Sequence, residues 1–402
     1  MYNVSKQRLK ISLLTETFPP EVNGVSFTLY QLARGLSSLG SEIEVLRPKR
    51  IRKSGRVEPW DEVDLPSRPI PNYPQLRFGL PCGALLYERW QNCRPDIIYL
   101  ATEGPSGFSA LRVAKKLGIQ VVSGYHTNFD LYLKHYRISF IKPLIDNYLK
   151  WFHNQTHLTF APTDWMIKEL KIKGYKNLKK LSRGVDHQFF SPQNRSEKLR
   201  KSWNIKELDR VMISVSRVAA EKNLDLVCKV FTKMIEQKKA KMGLIVGDGP
   251  ERIKLSKKYP KILFTGCLDK NVLSVYYASA DLFLFASQTE TFGNVITEAL
   301  SSGLPVIAYD YAAASEYIVD GNNGKLSPMG DSISLEENFE SLLECSGLKL
   351  AKMSNQARLS TQKANWINII KKLHDDLIVL SQNSPFRSLK SNSVNRRKYR
   401  TV

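Results

Sequence analysis

Glu290 and Glu298 stand eight positions apart in "ETFGNVITE", where an apolar run passes into a helix that the pattern predicts to start near Thr291. A helix start leaves backbone N–H groups without intrahelical partners and carries the positive end of the dipole, so it suits a phosphate. Gly293 lets the backbone approach a ligand closely. Two carboxylates at different depths can then grip hydroxyl groups on either side of one anion. Spacing alone equally allows a capping residue and a solvated helix glutamate.

A cationic pair complements them. In "VSRVAAEKNLDL", Arg217 closes an apolar run and Lys222 follows five residues later. A planar guanidinium and a compact ammonium at a strand end can both reach a diphosphate, although such residues taken singly read as surface ion-pair partners. Asp248 in "VGDGP" can lie near a nucleotide, or Gly247, Gly249 and Pro250 simply shape a turn. His126 in "SGYHTNFD" ends another apolar run and, alone, reads as a structural histidine. No metal is expected. The chain has no Asp-x-Asp, and "HNQTH" at 153–157 has Asn154 where a zinc hydrolase needs glutamate.

These residues need strands behind them. Short apolar runs at Ile11–Leu14, Ile43–Leu46, Ile97–Leu100, Gln120–Ser123 and Leu158–Ala161 predict one parallel sheet covered on both faces. A second series, at Val211–Val215, Gly243–Val246, Ile262–Phe264, Leu282–Phe285 and Pro305–Ala308, predicts another. Helix-length segments alternate with the runs, which is the doubly wound pattern. The domains expected are 1–190, 191–365, a terminal helix within 366–383 and a disordered basic tail, 384–402. In that helix Ile367, Ile370, Leu373 and Leu377 are the docking residues. The stretch "RGVDHQFFSPQNRS" at 183–196 reads as the linker, because Gly184 and Pro192 interrupt regular structure there.

"TETF" occurs at 15–18 and again at 289–292. Pro19 and Pro20 extend the first loop and delay its helix until about Gly24, whereas Gly293 follows the second at once. The two copies are not a repeat, and Glu16 reads as structural.

A chain of 402 residues with 42% hydrophobic and 24% charged residues accommodates two folded domains. No apolar run approaches a membrane span, the start lacks a signal-peptide pattern, and five scattered cysteines suggest no disulfide framework, so a cytoplasmic protein is expected. The net charge of +22 calls for an anionic partner. Six basic and no acidic residues lie in 47–56, and six more in 386–400.

"SVSRVAAEKNLDLV", "LIVGDGP", "ASADLFLFASQTETFGNVITEALSSGLPVIAY" and "TETFPPEVNGV" together resemble the retaining glycosyltransferases of family 4, over about residues 9–382. The resemblance implies the α/β fold called GT-B, two Rossmann-like parallel-sheet domains facing across a cleft. It implies that Arg217 and Lys222 hold the donor diphosphate, that Glu290 contacts the transferred sugar and that Glu298 contacts the ribose hydroxyls. By the same likeness the amides of Phe292, Gly293 and Asn294 meet the sugar or its phosphate, Gly24 closes over the diphosphate, and His126 lies near the reacting sugar.

Within the family, "EGPSGFSALRVAKKLGIQVVSGYHTNF" looks most like bacterial GDP-mannose-dependent α-mannosyltransferases that act on glycolipids. The chain is less closely similar to enzymes moving a sugar from UDP to diacylglycerol. Mannose from GDP-mannose and a glycolipid or lipid-linked acceptor are therefore the substrates expected, at the inner face of an anionic membrane. "YPQLRFGLPCGALLYERWQ" and "YLKHYRISFIKPLIDNYLKWF" mix aromatics with cations and fit either that interface or ordinary packing. A nucleic-acid-binding protein is the alternative from another class; the chain lacks zinc-finger spacing and an RRM-like aromatic motif. A Rossmann oxidoreductase would need a GxGxxG that no strand carries.

Overall fold

The computed structural model describes residues 8–21, 23–49, 58–70, 73–126 and 142–382. The tail 384–402, most of the basic run after Arg47 and the stretch 127–141 lie outside these residues.

The first sheet has seven strands: β1 (Lys10–Leu14), β2 (Glu42–Pro48), β3 (Asp61–Leu65), β6 (Ile97–Leu100), β7 (Gln120–Gly124), β8 (Leu158–Ala161) and β9 (Leu178–Lys180). An antiparallel pair, β4 (Ser67–Ile70) and β5 (Tyr73–Gly79), stands beside it. The second sheet has six strands: β10 (Val211–Val215), β11 (Met242–Val246), β12 (Ile262–Gly266), β13 (Leu282–Phe285), β14 (Val306–Tyr309) and β15 (Gly324–Ser327). Their orders are β3-β2-β1-β6-β7-β8-β9 and β12-β11-β10-β13-β14-β15, with every pair parallel.

Central strands such as "IIYL" and "LFLF" are buried throughout, because helices cover both faces of each sheet. The apolar runs predicted eight of the thirteen sheet strands to within a residue at either end; they also found β2 and β12, with ends shifted by up to two residues. They missed β3, β9 and β15, which lie at or near sheet edges. "DEVDL" buries only Leu65, and edge strands that face water need no apolar run.

Each sheet has one point where strand order reverses, between β1 and β6 and between β10 and β13. Loops leaving neighbouring strands there run to opposite sides and open a crevice. The loop before helix Gly24–Ser38 leaves the first of these points, and the loops carrying Arg217 and Glu290 leave the second.

The chain passes between the halves twice, and the passages touch. The amide of Val185 donates to Ala364 O at 2.8 Å, and a Cβ on Gly184 would lie 2.7 Å from the backbone N of Trp366. Only glycine allows that approach. The terminal helix Trp366–Gln382 then packs on helix Gly24–Ser38 through Ile370, Leu373 and Leu377, and Lys179 Nζ pairs with Asp376 at 2.7 Å. Ile367 does not dock; it is 79% exposed, one face round from the buried stripe.

Gly35 explains how closely these helices meet. A Cβ there would lie 2.1 Å from Ile370 Cδ1 and 2.9 Å from two further carbons of that side chain. Alanine normally gains about 1 kcal/mol over glycine inside a helix. Here Gly35→Ala is expected to lower the urea unfolding midpoint, while Ile367→Ala stays within about 0.5 kcal/mol of the parent.

Candidate active site

Neighbouring strands β10 and β13 bring the 216–223 loop beside the 286–293 loop. Lys222 Nζ donates to Glu290 Oε1 at 2.5 Å, and Ser287 Oγ donates to the same oxygen at 2.8 Å. Tyr311 fixes the loop from behind: its hydroxyl donates to Ser287 O at 2.9 Å and accepts from the Glu290 amide at 3.1 Å. Burial alone would raise the Glu290 carboxyl, but Lys222, Ser287 and Arg183 outweigh it and hold the group below the ordinary range. Glu290 is therefore a carboxylate.

The helix beyond begins at Asn294, not near Thr291. Gly293 adopts φ +93°, a left-handed conformation that cannot continue into a helix, and residues 291–293 form a turn instead. Glu298 is accordingly about one turn into the helix rather than two. The helix has no side-chain cap; Ile296 N donates to Gly293 O at 3.0 Å, and the amides of Asn294 and Val295 are left to a ligand or water. Phe292 is buried and anchors the turn against Tyr317.

Glu298 differs from Glu290 because no cation among the described residues pairs with it, Lys270 acting only through space. Tyr277 donates to Glu298 Oε2 at 3.2 Å, and burial pushes the carboxyl up to about 7. Ribose hydroxyls are suitable partners for such a group, since they can bond either protonation state.

Arg217 is half exposed and its guanidinium pairs with Glu221 on its own loop. Asp248 lies on the adjacent loop: its carboxylate accepts from the Gly249 amide at 2.8 Å and pairs with Arg252 at 3.2 Å, while its carbonyl accepts from Val218 at 2.9 Å. Gly247 and Gly249 are required by close approach, since a Cβ on either would lie within 2.3 Å of a carbonyl oxygen. The bonds of Asp248 are those of a turn-forming residue, and none connects it to Glu290.

The opposite wall comes from the first sheet. Helix Gly24–Ser38 opens at Gly24, capped by Asn23, whose side chain accepts from Ser26 N at 2.8 Å. A Cβ on Gly24 would lie 3.4 Å from Asn294 Nδ2, so two helix N-termini from different sheets converge. His126 ends the first-sheet contribution, and its carbonyl accepts from Thr291 Oγ1 at 3.3 Å. Its ring is buried, with Nε2 3.2 Å from the Tyr99 hydroxyl. Burial, with Arg183 and His153 nearby, pushes it down to about 3, so His126 is a neutral hydrogen-bonding imidazole rather than a proton carrier near pH 7.

Arg183, absent from the sequence-based set, lies among these residues. It is buried, and its Nη1 approaches Gly24 O at 3.4 Å. The polar, Gly- and Pro-containing surroundings that mark 183–196 as a linker concealed it; the one sequence signal was an arginine immediately before a glycine at the crossing. Glu16 is held by the Gly79 amide at 3.1 Å and raised by burial, as befits a structural carboxyl. His153 of "HNQTH" is wholly buried between Glu103 at 3.1 Å and Ser123 at 2.9 Å.

The two glutamates give stability opposite pH signs. Glu298 is raised in the folded state, so its contribution is complete below the unfolded carboxylate range near about 4.3 and is lost as pH rises through about 7. Glu290 is lowered, and its contribution is lost as pH falls. Glu298→Gln is expected to flatten the loss of thermal stability between about pH 5 and 8, and Glu290→Gln is expected to leave that window unchanged.

Comparisons with known proteins agree with this geometry. Residues 22–189 match the family described as Glycosyltransferase Family 4, and residues 195–360 match Glycosyl transferases group 1. A GDP-mannose-dependent alpha-mannosyltransferase of Mycobacterium tuberculosis is 30% identical over 80% of this chain and 85% of its own. An alpha-monoglucosyldiacylglycerol synthase of Streptococcus pneumoniae is 27% identical over 79% of this chain and 75% of its own. Anabaena Alr3699/HepE, solved with UDP and glucose, superposes with a TM-score of 0.70 at 18% identity, covering 92% of this chain and all of that one. With the two family matches falling in order on the two sheets, this chain belongs to glycosyltransferase family 4 and has the GT-B fold.

Proposed function

We propose that this glycosyltransferase transfers mannose from GDP-mannose to a glycolipid or lipid-linked acceptor, with retention at the anomeric carbon and without a metal. The observation that carries the donor site is the Lys222–Glu290 ion pair at the mouth of an uncapped helix, 2.5 Å in length. A diphosphate arriving there draws Lys222 and Arg217 toward its oxygens and frees Glu290 to accept a sugar hydroxyl. Glu298 takes the ribose, and the amides from Phe292 to Asn294 meet the phosphate or sugar. As the glycosidic bond breaks, charge grows on the leaving phosphate, and preplaced cations and amides stabilise it. That positive charge supplies what a divalent ion would. The leaving phosphate itself is placed to accept the acceptor hydroxyl's proton on the same face. His126, uncharged, orients a sugar hydroxyl.

The name of the mycobacterial relative supports GDP-mannose. A UDP-sugar-dependent transfer to diacylglycerol is the second reading, favoured by the name of the streptococcal relative. Lipid contact is supported by helix Lys142–Asn154, where Leu144 is 72% and Trp151 43% exposed, seven positions apart on one face beside Lys150. Among the described residues no helix is long and apolar enough to cross a membrane, so the contact proposed is peripheral. Each Lys or Arg near an anionic bilayer adds about 1 kcal/mol, and the +22 charge suits the cytoplasmic leaflet.

Thermal shift against GDP- and UDP-sugars is the first test: selective stabilisation by GDP-mannose supports the donor, and a UDP-sugar preference favours the second reading. Salt-sensitive RNA binding with no nucleotide-sugar turnover would overturn both. Glu290→Gln is expected to reduce kcat by about 10²- to 10³-fold with the fold intact, and EDTA to leave the rate unchanged. Leu144→Asp with Trp151→Asp is expected to weaken binding to anionic vesicles while sparing transfer to a soluble acceptor.

A further inference from the structure

The charges expected to hold the donor cancel in the ligand-free protein. Lys222 is paired with Glu290 and Arg217 with Glu221. The third cation at the crevice is Arg183, 5% exposed, and its Nη2 has no hydrogen-bond partner. Among the described residues no carboxylate forms an ion pair with it. Its Nη1 makes only the long contact to Gly24 O, and its guanidinium carbon stands 5.9 Å from the centre of the Phe292 ring. Burial depresses it to about 10 against the opposing through-space pull of Tyr99 and Glu290, so it stays charged at neutral pH. A buried guanidinium without an anion is costly, and such a group persists where a ligand supplies the anion.

Its position identifies the kind of anion. Arg183 Nη1 and Asn294 Nδ2 lie 3.7 and 3.4 Å from where a Gly24 Cβ would stand, so both converge on the start of helix Gly24–Ser38. The side-chain oxygen of Asn294 is also buried without a partner. Two helix N-termini, each favouring negative charge, thus face one cation that no described carboxylate contacts, Glu290 acting on it only through space. A phosphate meets all three at once.

We propose that Arg183 is a donor-binding residue that clamps the diphosphate from the wall opposite Arg217 and Lys222. This rests on the reading that a nucleoside diphosphate occupies the crevice. Arg183 lies on the passage between the halves, next to Gly184 and its contact with Trp366. Phosphate binding there ties the donor to both sheets, and Arg183 adds a net positive charge where the leaving group forms.

Isothermal titration of the full-length protein with GDP, UDP, GMP and inorganic pyrophosphate tests the proposal. Arg183→Met is expected to weaken GDP and pyrophosphate by about 10- to 100-fold and GMP by less than about threefold, with Arg183→Lys recovering part of the loss. The melting temperature of ligand-free Arg183→Met is expected to be unchanged or raised, because an unpaired buried charge is removed. A lowered melting temperature with an unaltered GDP-to-GMP ratio would mean that Arg183 only ties Gly24 in place, and would overturn the proposal. Absence of GDP and UDP binding by the parent would instead remove the donor reading. Pyrophosphate still decides Arg183 in that case: equal affinity in parent and Arg183→Met overturns its role, and a selective loss sustains it.

Discussion

A carboxylate placed at the inner end of a parallel strand stays ionised only if a cation stands against it, and the contact between Lys222 and Glu290 meets that condition. The residues are 68 positions apart, and the pair exists because β10 and β13 are neighbours at the point where strand order reverses. Its energy is not chiefly a stability term. A buried ion pair roughly balances its own desolvation, so what it contributes is a poised state in which both partners are charged, oriented and exchangeable. On the proposed function, an incoming diphosphate competes for the ammonium and a sugar hydroxyl replaces it at the carboxylate.

The second requirement is convergence of two helix starts from different sheets. Neither the Gly24 nor the Asn294 terminus is long-range in its field, because the dipole effect falls off within a turn. They act together because the start of helix Gly24–Ser38 lies beside the Asn294 side chain, whose Nδ2 would stand 3.4 Å from a Cβ on Gly24. A demand for bare backbone exists at Gly184 against Trp366 and at Gly35 against Ile370, which set how the two passages and the terminal helix close the structure.

Much of this was legible in the residues. The apolar runs marked the buried strands, since a parallel sheet covered on both faces leaves no polar alternation, and the glutamate and cation pairs followed from strand ends and a glycine. What escaped has a physical cause. β3 and β9 sit at edges where charge is tolerated, so their strands carry no apolar signal. The helix start slipped by three residues because Gly293 was read as permitting approach, whereas its left-handed backbone also forbids the helix. Ile367 belongs to the apolar composition of its helix but not to the stripe that packs. Burial of His126 cannot be read from a single histidine after a strand, and that burial removes its charge.

Arg183 shows why a polar crossing is hard to read. Glycine, proline and hydrophilic residues describe a linker equally well whether it runs through water or through the centre of the molecule. Here the crossing runs past the start of helix Gly24–Ser38 and the Phe292 ring, which brings the Arg183 side chain to the crevice. The two "TETF" loops make the converse point: one spelling yields a structural carboxyl at Glu16, bonded to the Gly79 amide, and an ion-paired one at Glu290. The difference arises from what stands against each loop, a backbone amide from the antiparallel pair at Glu16 and a lysine from the loop after β10 at Glu290.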